Sequence, residues 1–349
     1  MIRKWFYALL ILVVISAYSC ASLHPEVKNG TVMQSFPTKE PGKILKIKRS
    51  PTEGFYCNYY LFIPGEAISG SCRLLVAPNN SGTSSDDIRL HDRLAQGYIR
   101  GLSRSFGREL GIPVLVPVIT RPCVIPGASR EGWAYYTHAL DRQSLQLQVD
   151  PYKRIDRQLI GMIEHAGTIL GEHGLEVEPE VFMLGFSASG NYTNRFVFLH
   201  PERVRAAAAG GLKGMPLLPA EQRKGRKLYY PVGVYDLAEL TGRPLNFAAV
   251  RTTPQYLFIG ELDANDTLPY GDAFDERERE IIIDVFDTVP FKEQKESNAP
   301  ILLKRFDFAE KIYAEYGLPA HFVVYEGIGH GFNDQVWEDL FEFFRQHTD

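Results

Sequence analysis

The stretch that decides the fold is Leu184-Gly185-Phe186-Ser187-Ala188-Ser189-Gly190. It completes an apolar run over residues 181–184, which predicts a buried strand, and it precedes a helical pattern that reaches His200. Small residues at positions 185, 189 and 190 allow a helix to lie close to a strand at a sharp turn. Such a turn strains its central residue and presents that side chain at the carboxyl edge of the sheet. The stretch therefore predicts a strand–turn–helix unit with Ser187 at its tip.

Strands and helices alternate on both sides of this unit. Helical patterns separate most of the short apolar runs that predict strands, and this alternation predicts a mainly parallel sheet with helices on both faces. Residues 212–253 are rich in loop formers and aromatic residues and predict an inserted cap region. No break divides residues 44–349, which we interpret as one α/β domain. The predicted strands lie at 44–48, 59–63, 73–77, 113–119, 181–184, 204–209, 255–259 and 321–325.

A serine hydroxyl becomes a nucleophile when a neighbouring base takes its proton and a third group orients that base. His330 lies in the glycine-rich loop between the last predicted strand and the last helix, and it is the candidate base for Ser187. Asp263 lies three residues after Gly260, which ends the preceding predicted strand, and it is the candidate orienting acid. Asp266 in the same loop is the alternative acid. The pattern therefore predicts a Ser187, Asp263 and His330 triad.

Two other groups bear on this chemistry. An oxyanion requires two aimed donors, for which we expect the amide of Ala188 and a donor at Asn80 in the segment 78–82. Asn79 and Ser81 are near alternatives to Asn80, and an ordinary asparagine-rich turn would also explain this segment. Ser189 is an alternative nucleophile, although its flanking residues fit the turn less well.

The order Ser187, Asp263, His330, with each residue in a loop after a successive strand, resembles the α/β-hydrolase superfamily from about residue 44 to 346. Within it, the serine turn and the final Gly-x-Gly-His segment are most similar to exported polyhydroxyalkanoate depolymerases and feruloyl esterases. The resemblance implies an eight-stranded, mostly parallel sheet and ester hydrolysis through an acyl-enzyme. The sequence departs from the family at the usual His-Gly oxyanion motif, which is missing, and at Ser189, where glycine is more usual.

Several functions are compatible with this pattern. The first is hydrolysis of a small-molecule or polymeric carboxylic ester, and a serine peptidase, an acyltransferase or a non-catalytic envelope binding lipoprotein are the alternatives. The net charge of −4 gives no reason to expect nucleic acid as a partner. The sequence contains no phosphate-binding loop, no HExxH motif and no zinc-type Cys/His spacing, so we predict neither a cofactor nor a metal.

The N-terminus predicts export. Basic residues at 3 and 4, an apolar run over 5–17 and small residues around 19–21 are typical of a signal peptide over residues 1–20, and the run is short for a bilayer span of ~20 residues. An uncleaved membrane anchor is the alternative. The segment 17–20 also resembles a lipobox in which Cys20 would be acylated, so an envelope lipoprotein and a periplasmic or secreted protein both remain open. Contact with a membrane is expected only through this segment.

Residues 21–43, with three prolines, predict a linker. Export permits disulfides, and Cys57 and Cys72 flank a predicted hairpin or pair of neighbouring strands, so a bond between them and two buried free thiols are both possible.

Overall fold

The computed structural model describes residues 31–38, 41–65, 71–79, 84–125, 135–266, 268, 274–286 and 299–348. The predicted export signal with Cys20, and the predicted oxyanion donor Asn80, lie outside the described residues. In the described ranges, no helix has both the length and the apolar character that a membrane span requires.

Within these ranges the centre of the structure is a nine-stranded sheet flanked by helices. In chain order the strands are β1 Val32–Pro37, β2 Gly42–Ile47, β3 Tyr59–Pro64, β4 Leu75–Val76, β5 Val114–Pro117, β6 Val181–Phe186, β7 Val204–Gly210, β8 Gln222–Arg223, β9 Arg226–Lys227, β10 Gln255–Gly260 and β11 Ala320–Tyr325. The order across the sheet is β1-β2-β3-β5-β4-β6-β7-β10-β11, while β8 and β9 form a separate hairpin. Neighbours from β5 to β11 run parallel, and β1, β2, β3 and β5 pair antiparallel.

Helices cover both faces of this sheet. They are α1 Ile88–Leu102, α2 Arg142–Gln146, α3 Ile155–Glu172, α4 Ala188–Leu199, α5 Leu237–Thr241, α6 Phe247–Val250, α7 Glu276–Phe286, α8 Ala299–Glu315 and α9 Asp334–Arg345. Alternate residues of β6 enter opposite cores: Met183 packs with residues of α3, α4 and α8, while Phe182 packs with residues of α1 and α9. The predicted α/β architecture, a mostly parallel sheet with helices on both faces, is confirmed.

In the described part of the chain the sheet has nine strands, where the resemblance implied eight. The additional edge strand, β1, lies inside the segment that we predicted to be a linker, so residues 32–37 belong to the sheet. Its mostly exposed side chains conceal the strand in a sequence pattern, and Pro37 stands at its end, where a proline is tolerated. Phe36 anchors β1 through its ring, which lies 6.4 Å from that of Tyr60.

The segment 212–253 forms short elements and loops over a third core. Apolar residues of this segment, among them Met215, Leu218 and Leu228, pack against side chains of α7 and α8 such as Ile281 and Ile312. An ion pair between the partly buried Arg142 and the buried Asp236 ties the segment to α2, with 2.5 Å between Arg142 Nη2 and Asp236 Oδ2.

Cys57 and Cys72 are buried free thiols, so the disulfide that their spacing permitted is absent. The physical reason is the strand order: β5 lies between β3 and β4, so the hairpin that would have brought the two cysteines together does not form. Burial raises the pKa of the Cys57 thiol to about 11, and this group is consequently unreactive at neutral pH.

The ionisation of Glu278, at the start of α7, makes the free energy of unfolding depend on pH. It is 2% exposed, and its Oε2 accepts a hydrogen bond from the Asp275 amide at 2.8 Å. Burial, and then the charge of Asp275, raise its pKa from 4.5 to about 8. Between those two values the folded state retains a proton that the unfolded chain has lost, so the free energy of unfolding falls as pH rises.

We therefore expect Glu278→Gln to be more stable than the wild type at pH 8 by about 1–3 kcal/mol, with the difference vanishing towards about pH 4.5. Urea unfolding across this range measures the difference. Glu276→Gln, at an exposed position of the same turn, is the matched control and is expected to show no such trend. A gain for Glu278→Gln that is equal at both ends of the range would contradict the prediction.

Candidate active site

Ser187 occupies the sharp turn between β6 and α4. Its φ of 62° and ψ of −124° lie outside the regions that residues other than glycine usually adopt. The Ser187 amide donates a hydrogen bond to the carbonyl of Gly210 at the end of β7, over 2.8 Å. This contact with the neighbouring strand holds the strained residue at the carboxyl edge of the sheet, where it is partly exposed.

The turn requires the small residues on either side of Ser187. A Cβ at Gly185 would lie 2.1 Å from the carbonyl oxygen of Ser189, and a Cβ at Gly190 would lie 2.4 Å from that of Gly210. Ser189 is 1% exposed, and its hydroxyl accepts from the Phe186 amide at 3.0 Å and donates to the Phe186 carbonyl at 2.9 Å. The Ser189 hydroxyl therefore holds the turn together, while that of Ser187 lies at its tip.

Asp263 and His330 meet at the same edge of the sheet. Asp263 follows β10 and is 1% exposed, and His330 follows β11. His330 Nδ1 donates to Asp263 Oδ2 over 2.8 Å, while Asp263 Oδ1 accepts from the Asn265 amide over 2.9 Å. The two loops touch so closely that a Cβ at Gly260 would lie 2.3 Å from the carbonyl oxygen of Gly329. The buried carboxylate therefore fixes the orientation and the tautomer of the imidazole.

The imidazole of His330 lies beside the serine turn. Its ring centroid is 4.7 Å from that of Phe186, the residue before Ser187. Its Cε1 would lie 2.9 Å from a Cβ at Gly211, so the glycine leaves room for the ring. The structure thus brings the loops that carry Ser187, Asp263 and His330 together, and their assignment as a catalytic triad stays a prediction.

Asn265 is a member of this site that the sequence analysis missed. Its side-chain Nδ2 lies 3.1 Å from His330 Nε2, the nitrogen that a base would turn towards the serine. Among the described residues, no hydrogen bond joins the Ser187 hydroxyl to His330. The Ser187 hydroxyl would have to replace the side-chain amide of Asn265 at His330 Nε2 before it could transfer its proton to that nitrogen. The available signal was Asp263 itself, since an aspartate side chain favours a local turn by accepting from the backbone N–H two residues on, which places Asn265 beside the acid.

Asp266, the alternative acid, is engaged elsewhere. Its Oδ2 pairs with Arg305 Nη1 at 3.0 Å, and both side chains are 3% exposed. Its Oδ1 accepts a hydrogen bond from the Leu268 amide at 3.1 Å. Of the two carboxylates that the sequence offered, the structure brings Asp263 to His330 and pairs Asp266 with a cation on α8.

Ala188 and Asn79 are the residues of the predicted oxyanion site that lie within the described ranges. Ala188 is the first residue of α4, where backbone N–H groups have no partner within the helix, so its amide is available as a donor. Asn79, the neighbour of Asn80, is 1% exposed, and its side chain binds the backbone N–H and carbonyl of Ile119 at 2.8 and 3.1 Å. These bonds fix the start of the segment that we expect to supply the second donor.

The described residues contain no group of three or more His, Cys, Asp or Glu side chains placed to hold a metal ion.

No protein-family model matches the sequence, and no curated protein matches it either.

Solved structures do match. Poly(aspartic acid) hydrolase-1 from Sphingomonas sp. KT-1 is 17% identical with a TM-score of 0.51, over 88% of this chain and 98% of that chain. This chain has the α/β-hydrolase fold. An S-formylglutathione hydrolase from Agrobacterium tumefaciens matches at 14% identity and a TM-score of 0.51, over 92% and 100% of the two chains. A poly(3-hydroxybutyrate) depolymerase from Bordetella parapertussis matches at 15% identity and a TM-score of 0.50, over 88% and 90%. At these identities the α/β-hydrolase likeness concerns the fold and not the reaction.

Proposed function

We propose that this protein is a serine hydrolase that cleaves carboxylic esters through an acyl-enzyme on Ser187. The observation that supports this most strongly is the strained Ser187 turn beside an imidazole that is hydrogen-bonded to a buried carboxylate. Strain of this kind persists only where the surrounding structure enforces it, and it is concentrated at functional sites. The structural neighbours, named as hydrolases or a depolymerase, agree with a hydrolytic reaction.

The reaction would proceed in two halves. His330 Nε2 takes the proton of Ser187 as the serine oxygen attacks the ester carbonyl, and Asp263 stabilises the imidazolium that forms. The amide of Ala188, together with a donor that we expect near Asn80, binds the oxyanion. His330 then protonates the departing alcohol, leaving an acyl group on Ser187. In the second half, water loses a proton to His330 and attacks the acyl carbon, and His330 returns that proton to the Ser187 oxygen as the bond to the acyl group breaks and the acid is released.

The same geometry would serve a peptidase or an acyltransferase, so the substrate class must be measured. The experiment compares p-nitrophenyl esters of graded acyl length with peptide p-nitroanilides, and treats the protein with a fluorophosphonate probe. We expect turnover of the esters, little turnover of the anilides, and labelling of the wild type but not of Ser187→Ala. Faster cleavage of the anilides would indicate a peptidase. The absence of both turnover and labelling would favour a non-catalytic binding protein and would overturn the proposal.

We further propose that the export signal predicted over residues 1–20 places this activity in the cell envelope or outside the cell, where polymeric esters are accessible as substrates.

A further inference from the structure

Two cationic side chains and one imidazole lie against the ring of Tyr136. Arg121 Cζ lies 4.4 Å from the ring centroid and Lys213 Nζ lies 5.9 Å from it. The imidazole of His138 stacks on the same ring, with centroids 5.4 Å apart and an angle of 24° between the planes. We propose that Arg121, His138 and Lys213 form a subsite for a negatively charged group, so that the substrate is an ester that carries a carboxylate. This inference rests on the proposed function.

One apolar cluster connects the proposed subsite to the serine turn. Tyr136 belongs to a buried apolar cluster against which Ala188, the residue after the nucleophile, packs. Phe274 belongs to the same cluster, and Lys213 Nζ lies 5.6 Å from the centroid of its ring. Lys213 follows two residues after Gly211, which faces the rings of both His330 and Phe186. On this basis we expect an anionic group bound here to belong to the molecule whose carbonyl lies at Ser187.

His138 supplies the second, independent observation. It is 1% exposed, yet its Nδ1 is buried with no hydrogen-bond partner, and no hydrogen bond to either ring nitrogen is found within the part of the chain that the structure describes. Asp141, the nearest acid along the chain, instead caps α2 by accepting from the Ser144 amide at 2.8 Å. Proteins seldom bury an unpaired polar atom, and such an atom in a native structure calls for a functional or ligand-binding explanation.

The charges around His138 indicate the sign of the ligand. Burial, and then the positive charges of Arg121 and Lys213, with a smaller contribution from His91, hold the pKa of His138 well below its ordinary value of 6.5. The ring is therefore neutral at pH 7 and has one N–H to donate. The positive charges of Arg121 and Lys213, beside one N–H of a buried imidazole, suit an anion that accepts hydrogen bonds, and a carboxylate is such a group.

Matched pairs of esters that differ in one charge test this subsite. For the acyl side, p-nitrophenyl hydrogen adipate is compared with p-nitrophenyl hexanoate. For the alcohol side, p-carboxyphenyl hexanoate is compared with p-carbamoylphenyl hexanoate. We expect the wild type to prefer the anionic member of one pair by about tenfold or more in kcat/KM, as for a hydrogen bond to a charged group.

His138→Phe is the principal variant because it keeps a ring against Tyr136 and removes both nitrogens. We expect it to lose about tenfold on the anionic ester while the neutral ester changes by less than about threefold. Its melting temperature should be no lower than that of the wild type, since removing an unpaired buried polar group relieves a cost. Lys213→Met should show the same selective loss, and Lys153→Met, at an exposed lysine, should change neither ester.

Two results would overturn the subsite: no charge preference in the wild type for either pair, or an equal loss on charged and neutral esters in His138→Phe. If the proposed function itself is wrong, the result differs from both of these: neither the wild type nor Ser187→Ala would hydrolyse either ester of a pair. In that case calorimetric titration with adipate and with hexanoate decides. Adipate binding that is selectively lost in His138→Phe would support the subsite, and equal binding of the two acids or none would refute it.

Discussion

We expect Ser187→Ala to lower kcat for the best ester by about a thousandfold or more while the protein stays folded. Alanine removes the oxygen that attacks the carbonyl, and the nearest described hydroxyl along the chain, that of Ser189, is engaged elsewhere. The Ser189 hydroxyl is buried and bonded to both backbone groups of Phe186. Initial rates with a p-nitrophenyl ester, together with the mass of the fluorophosphonate adduct, measure the loss and locate the nucleophile.

Ser189→Ala is the matched control, since it removes the same atom from a serine two residues away. We expect the free energy of unfolding to fall by about 1–2 kcal/mol, because the hydroxyl that bridges the Phe186 amide and carbonyl is lost. Activity should remain within about tenfold of the wild type, as Gly185 and Gly190 still permit the turn. Loss of labelling in Ser189→Ala, with labelling retained in Ser187→Ala, would exchange the two roles.

The serine turn could be predicted from the sequence because its requirements are local. Close approach of α4 to β6 demands small residues at 185 and 190, and these lie within a few positions of Ser187. The positions of Asp263 and His330 follow from an equally simple fact: loops after parallel strands lie at one edge of the sheet. These features need only strand order and local geometry.

What the sequence did not reveal depends on partners far along the chain. Cys57 and Cys72 are separated because β5, formed some forty residues later, inserts between their strands. The edge strand β1 buries little of its own surface and is recognisable only once β2 is beside it. His138 lies three residues before Asp141, a spacing that would allow the two side chains to pair. Only the fold shows that Asp141 instead caps α2 and that Arg121 and Lys213 lie beside the ring.

The choice between Asp263 and Asp266 as the acid also depends on a partner far along the chain, because Arg305 pairs with Asp266. The second large prediction concerns these two aspartates. We expect Asp263→Asn to lower kcat by about a thousandfold or more with little change in stability. The amide keeps the size of the carboxylate, but it no longer supplies the charge that stabilises the His330 imidazolium. Asn265 would still donate its backbone N–H to the amide oxygen, so the loop is expected to keep its shape. Steady-state kinetics and thermal unfolding of the same preparation measure both quantities.

We expect Asp266→Asn to lower the stability and to leave kcat largely unchanged, the opposite of Asp263→Asn. It leaves the cation of Arg305, 3% exposed, without its carboxylate, and breaking a buried pair in this way typically costs about 3–5 kcal/mol. We expect the melting temperature to fall by roughly 5–10 °C, while kcat of the folded fraction at low temperature stays within about tenfold of the wild type. Asp266 does not contact His330, so its charge affects the reaction only through the position of the loop. A variant of Asp266 that kept its stability but lost kcat, beside an active Asp263→Asn, would reassign the acid and would show that the loop rearranges when substrate binds.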